Sequence, residues 1–116
     1  MKTKLSKKQI KACEDTGWSV ASYGRFSDGS ACVELETSSS LGEDFILTVG
    51  IEDFANDLSE QYENFDPEEH AINIYLAARD GVMKDVPTTS IRALLKDADE
   101  IDDMILNLAQ AAAQAV

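Results

Sequence analysis

Positive charge is scarce in this chain of 116 residues: ten Lys and Arg stand against 22 Asp and Glu, a formal net charge of −12 at pH 7. A surface that negative repels phosphate, which argues against direct binding to nucleic acid or to an anionic membrane face. Histidine is scarcer still, with His70 alone, and Cys13 and Cys32 are the only cysteines. One His and two separated Cys cannot assemble the usual zinc sets. His70 is therefore read as a surface or helix-edge residue. No apolar run approaches the roughly 18 residues of a membrane-spanning helix. The basic opening, Lys2 to Lys8, is followed by no apolar stretch of secretory type, and neither end carries a lipidation pattern. Also missing are G-x-S-x-G, a P-loop, a dinucleotide fingerprint and C-x-x-C. Ser38-Ser39-Ser40 has no identifiable base and reads as a polar turn. The run Asp97 to Asp103 lacks the central Gly of a calcium loop and is interrupted by Ile101. The expectation is a protein that is not an enzyme, with no catalytic residue, no metal and no cofactor. Its two thiols are expected to be free and partly buried.

What is present is enough for one folded body. Hydrophobic residues make up 44% of the chain, and a domain of this length buries roughly two thirds of its unfolded surface. Residues 1–116 are read as a single acidic α+β domain, with no internal repeat or linker. Ser6-Lys7-Lys8-Gln9 has the form of a capping box, so a short helix is expected from about Lys7 to Glu14, ended by Thr16-Gly17. Trp18 to Arg25 reads as a strand, with Trp18 and Val20 on one side and Ala21 and Tyr23 on the other. Asp28-Gly29 supplies turn chemistry. Ala31 to Thr37 alternates, Ala31, Val33, Leu35 and Thr37 facing one way and Cys32, Glu34 and Glu36 the other, as in a half-buried strand. Phe45 to Val49 is a third strand, giving an antiparallel meander.

From Ile51 the period becomes helical, with Phe54, Ala55, Leu58, Tyr62 and Phe65 on one arc. Asp66-Pro67-Glu68-Glu69 starts another helix, to about Asp80, which is apolar on nearly all sides and therefore expected to be buried; Gly81 stops it. After a connection from Val82 to Pro87, Thr88, Thr89 or Ser90 caps a final helix to about Ala113. The architecture predicted is a three-stranded antiparallel sheet with a short N-terminal helix and three C-terminal helices packed on it.

Charge is unevenly placed. The first 25 residues hold six Lys or Arg and two acids, a net of +4, and the remaining 91 hold four and 20, a net of −16. Asp97, Asp99, Glu100, Asp102 and Asp103 fall within about 9 Å of helix axis at 1.5 Å per residue. Duplex DNA carries roughly one charge per 1.7 Å. On the helical wheel Asp99, Glu100 and Asp103 share a face, Asp97 lies off it, and Asp102 lies near the apolar edge. A second surface comes from Glu52, Asp53, Asp57, Glu60 and Glu63, and a third cluster from Asp66, Glu68 and Glu69. Acidic faces keep a protein soluble, but an excess of this size costs stability through self-repulsion. Docking to a cationic protein surface gives it a use, because carboxylates engage the Arg and Lys that otherwise hold phosphates.

Several stretches together carry a resemblance: Gly17-Trp18, Val33-Glu34-Leu35-Glu36, Leu41-Gly42-Glu43-Asp44-Phe45, Tyr62 to His70, and Val86 to Arg92 with the helix through Asp97 to Asp103. Over about residues 17 to 110 the chain resembles small acidic proteins encoded by phages and mobile elements of gut and other Gram-positive bacteria. That group carries no assigned activity, so no site residue is transferred from it. The resemblance implies a bacterial cytoplasmic setting in which antirestriction and anti-CRISPR proteins, small, acidic and sometimes DNA mimics, are common company. The function expected is non-enzymatic inhibition or modulation of a basic nucleic-acid-handling protein, such as a nuclease or CRISPR effector. The partner-binding residues would be Glu52, Asp53, Asp57, Glu60, Glu63, Asp99, Glu100 and Asp103. The basic first helix departs from an all-acidic mimic. The alternative is a self-associating structural or adaptor protein, for instance a homodimer formed through the Ala-rich end from Ala109 to Val116.

Overall fold

The computed structural model describes residues 3–79 and 90–115, with side chains through Ala77 in the first stretch. The chain runs α1 (Lys7–Asp15), β1 (Ser19–Arg25), β2 (Ala31–Ser38), β3 (Asp44–Gly50), α2 (Phe54–Asn64), α3 (Pro67–Arg79) and α4 (Ile91–Gln114). This is the α+β fold expected. Gly81, Thr88, Thr89 and the Val82 to Pro87 connection lie outside the described residues.

Local chemistry sets most of the boundaries. At α1 the Ser6 hydroxyl accepts the Gln9 N–H at 3.2 Å and the Gln9 side chain accepts the Ser6 N–H at 2.8 Å. This reciprocal pair satisfies two of the donors a helix start leaves open. Gly17, at φ +90°, turns the chain out of α1 into the strand, a conformation that favours glycine. In the β1–β2 turn Asp28 accepts the Ser30 N–H at 2.9 Å, and Gly29 takes φ +88°. Ser90 caps α4 by accepting the Ala93 N–H at 3.2 Å.

The sheet has the order β1-β2-β3 and is antiparallel throughout. Val33 faces Val49 and Leu35 faces Leu47, so the alternation read along β2 is the core face of the sheet. β1 departs from simple alternation. A bulge between Val20 and Ser22 leaves Ala21 unpaired, so Val20 stands opposite Leu35 and Tyr23 opposite Val33. Paired residues share a face, which puts Val20 and Tyr23 on the same side rather than opposite sides. One extra residue in a strand reverses the parity of everything after it.

The main core lies between this face and the helices. Trp18, Val33, Leu35, Val49, Ile51, Leu58, Ile101, Ile105 and Leu108 are its fully buried large side chains, with Cys13 among them. Trp18 Nε1 donates to the Met104 carbonyl at 3.2 Å, tying the start of β1 to the middle of α4. α4, at 24 residues about 36 Å long, continues past this core into a smaller one. There Ala71 and Ile74 of α3 meet Leu94 and Ala98, with Leu41 and Leu95 at the margin. α3 packs on α4 and, among the described residues, meets the sheet at its first turn, where His70 contacts Phe45.

The expected burial of α3 does not hold. Ile72, Tyr75 and Leu76 are 40, 36 and 38% exposed. α4 covers one stripe of the helix, and no other described element packs on it. An all-round apolar sequence is buried only where neighbours exist to bury it.

Candidate functional site

The eight acidic residues singled out above divide into two sets. On α2 and the turn before it, Glu52, Asp53, Glu60 and Glu63 are exposed. Asp57 is half-buried, and its carboxylate accepts the Gly50 N–H at 3.0 Å, closing the end of β3. A β-carbon at residue 50 would collide with that carboxylate, so Gly50 and Asp57 act as a unit. Glu60 holds a marginal contact with Asn56 at 3.5 Å. Glu63 borders a shallow groove with Tyr62 on one wall and Leu106 and Gln110 of α4 on the other.

On α4, Asp99 and Asp103 are exposed and Asp102 is half-buried beside them. Burial first, and then the charges of Asp103 and Asp99, raise the Asp102 carboxyl above the usual carboxylate range. These three acids therefore share one region. Glu100 turns away from them and accepts the Ser40 hydroxyl at 2.8 Å. The fold thus splits the wheel face on which Asp99, Glu100 and Asp103 were grouped: two point outward and one reaches the β2–β3 connection.

Sequence reasoning missed the residue with the most unusual surroundings. Asp97 is only 4% exposed. Its Oδ1 accepts the Leu41 N–H at 3.2 Å, and its Oδ2 is buried with no hydrogen-bond partner among the described residues. The signal was available: Asp97 stands three residues after Leu94 and four before Ile101, a core-facing position occupied by an acid. With Asp97 inward, Asp99 and Asp103 outward and Glu100 sideways, this run is continuous helix and not an ion-binding loop. Among the described residues no group of three or more His, Cys, Asp or Glu could hold a metal ion.

Few of the carboxylates are neutralised internally. Among the described residues Lys11 and Asp15 form an ion pair at 2.9 Å, exposed on both sides, and His70 Nε2 is hydrogen-bonded to Glu43 Oε1 at 2.8 Å. None of the eight acids is paired with a Lys or Arg there. His70 lies partly buried against Phe45 and Phe65, so it fastens α3 to the β2–β3 connection through Glu43. The serine run is likewise structural: Ser38 donates to Asp44, Ser39 accepts the Glu43 N–H, and Ser40 donates to Glu100. Both cysteines are buried and free, and burial pushes the Cys13 thiol up to about 11.

No helix among the described residues is long and apolar enough to cross a membrane. No protein-family model, curated protein or solved structure gives a significant match to this chain.

Proposed function

We propose that the protein is a non-enzymatic inhibitor or modulator that docks through its acidic helix faces onto a basic, nucleic-acid-handling protein. A nuclease or CRISPR effector of a bacterial cell is the kind of partner meant. The antirestriction, anti-CRISPR and DNA-mimic proteins of phages and mobile elements provide the analogy. One observation carries this reading: among the described residues, Asp15 is the only carboxylate paired with a Lys or Arg of the same chain. Most of the body's described carboxylates are exposed, Asp97 being the buried exception and Glu36, Glu43, Asp57, Glu100 and Asp102 half-buried. Such charge costs folding free energy by self-repulsion and gains association rate with a cationic surface.

The test is capture of proteins from a bacterial lysate at low salt, followed by elution with rising salt. Basic nucleic-acid-handling proteins should elute steeply, because exposed charge pairs are screened. The triple variant Asp99→Lys, Glu100→Lys, Asp103→Lys should retain almost none of them. Undiminished capture by that variant would remove the α4 surface from the proposal.

Self-association is the competing reading, and it draws on a different surface from the one expected. Ala109 and Ala112 of the Ala-rich end are already buried in the core, whereas Ile72, Tyr75 and Leu76 of α3 are exposed. A mass that grows with protein concentration and persists in high salt would favour it over charge-driven docking.

A further inference from the structure

Resting on the acidic-docking reading, we infer that the groove between the Ser39–Leu41 turn and the first half of α4 receives the guanidinium of one arginine side chain presented by the cationic partner. Asp97, Glu100, Leu41 and Ala93 line it, Asp97 buried and Glu100 half-buried. The Asp97 carboxylate is held by the Leu41 N–H through one oxygen, while the other is buried without a partner among the described residues. A buried charge satisfied on one side only is costly, and a charged donor arriving from outside removes that cost. Glu100, one turn further along α4, is oriented by Ser40 and keeps accepting capacity on its carboxylate. Two carboxylates one turn apart, each already oriented by a neighbour, fit a planar donor with several N–H groups better than a single point charge.

The surroundings favour that occupant over others. Lys96 borders the groove but forms no ion pair among the described residues, so neither carboxylate is neutralised from within. The absence there of any three-residue metal-holding group argues against a coordinated ion. The volume, about 280 Å³, falls just under the roughly 300–1,000 Å³ of small-molecule sites and suits a side-chain end. The guanidinium is weakly hydrated for a cation, so the apolar walls oppose its entry less than that of an ammonium.

The experiment titrates N-acetyl-arginine amide, and separately N-acetyl-lysine amide, into the isotope-labelled full chain at constant ionic strength, following the backbone amide of Leu41. The arginine probe should give a saturable shift and the lysine probe a weaker one. Asp97→Asn should weaken arginine binding by roughly tenfold, the loss of one charge-assisted contact. Glu100→Gln should also weaken it, and serves as the measure should Asp97→Asn lose its dispersed spectrum. Asp99→Lys with Asp103→Lys should change it by no more than about threefold, since exposed charges act weakly at moderate salt. A non-saturating response, equal affinity for both probes, or binding unaffected by Asp97→Asn and Glu100→Gln overturns the inference. Its failure is separable from that of the docking reading. If lysate capture succeeds and depends on Asp99 and Asp103 while the probe does not bind, only the groove is wrong. A probe that binds with no basic protein captured leaves the groove and removes the wider reading.

Discussion

The two ends of α4 sit in different environments. Around Ile101, Ile105 and Leu108 the helix meets a sheet face, two other helices and Trp18, and the large side chains are sealed from water. Around Leu94 and Ala98, among the described residues, it meets α3 and Leu41 in a smaller cluster of Ala71, Ile74, Leu94 and Ala98 with Leu41 and Leu95 at its margin. The same stretch carries the half-satisfied Asp97. The first region has the packing that sustains a fold; the second has, among the described residues, fewer apolar neighbours and a buried polar defect. Regions of low contact density open locally at lower cost, and binding elements are commonly drawn from them. In this protein the candidate docking groove falls at the weaker end of its longest helix.

Truncation breaks or sharpens that contrast most directly. Ile105→Ala, in the sealed region, should destabilise the protein by about 2–5 kcal/mol in urea unfolding, from lost transfer free energy plus a cavity. Leu94→Ala should cost less, about 1–3 kcal/mol, because a thinly packed site relaxes into the space. Equal costs would show that the two regions are equally well packed.

Thiol chemistry probes the strong end. With its thiol raised to about 11 by burial, Cys13 is almost entirely protonated at pH 8, and the thiolate is the reactive form. Alkylation of Cys13 at that pH should be slow in the native protein and rapid in denaturant, followed by peptide mass analysis. Rapid native modification would mean that the α1 side of the main core opens readily.

The smallest effect is electrostatic. Asp102 has a folded pKa raised above its unfolded value, so the folded state binds the proton more tightly there. Its penalty is fully present above the raised folded value and disappears as pH falls through that value and the unfolded carboxylate value, about 3.9. Asp102→Asn should therefore be slightly more stable than the parent at pH 7 and lose that advantage in acid. It should keep the larger part of it in high salt, because burial outweighs repulsion and salt screens only the latter. An advantage independent of pH would mean that the ionised Asp102 carboxylate is not the source of the penalty.

Legibility followed the range of the interactions. The capping box at Ser6 and Gln9 and the alternation from Ala31 to Thr37 depend on neighbours within four residues and are legible in the sequence. The cap of α4, by contrast, is narrowed by sequence only to Thr88, Thr89 or Ser90, of which Ser90 forms it. The candidate site was legible as composition but not as geometry. Asp57, Glu100 and Asp97 look like their acidic neighbours in the sequence, yet Gly50, Ser40 and Leu41 engage them across distances of 7, 60 and 56 residues.

The chain alone thus determined the kind and order of the described helices and strands, with most starts within a residue although α2 begins at Phe54 rather than Ile51. It also determined how much negative charge the body must carry, since propensity, capping and charge are properties of short segments. Only the tertiary structure decided that Ala21 bulges, that one side of α3 stays uncovered and that Asp97 points inward. Each of those outcomes depends on which distant surface is available to pack against, and packing is settled by the whole assembly of elements rather than by any one of them.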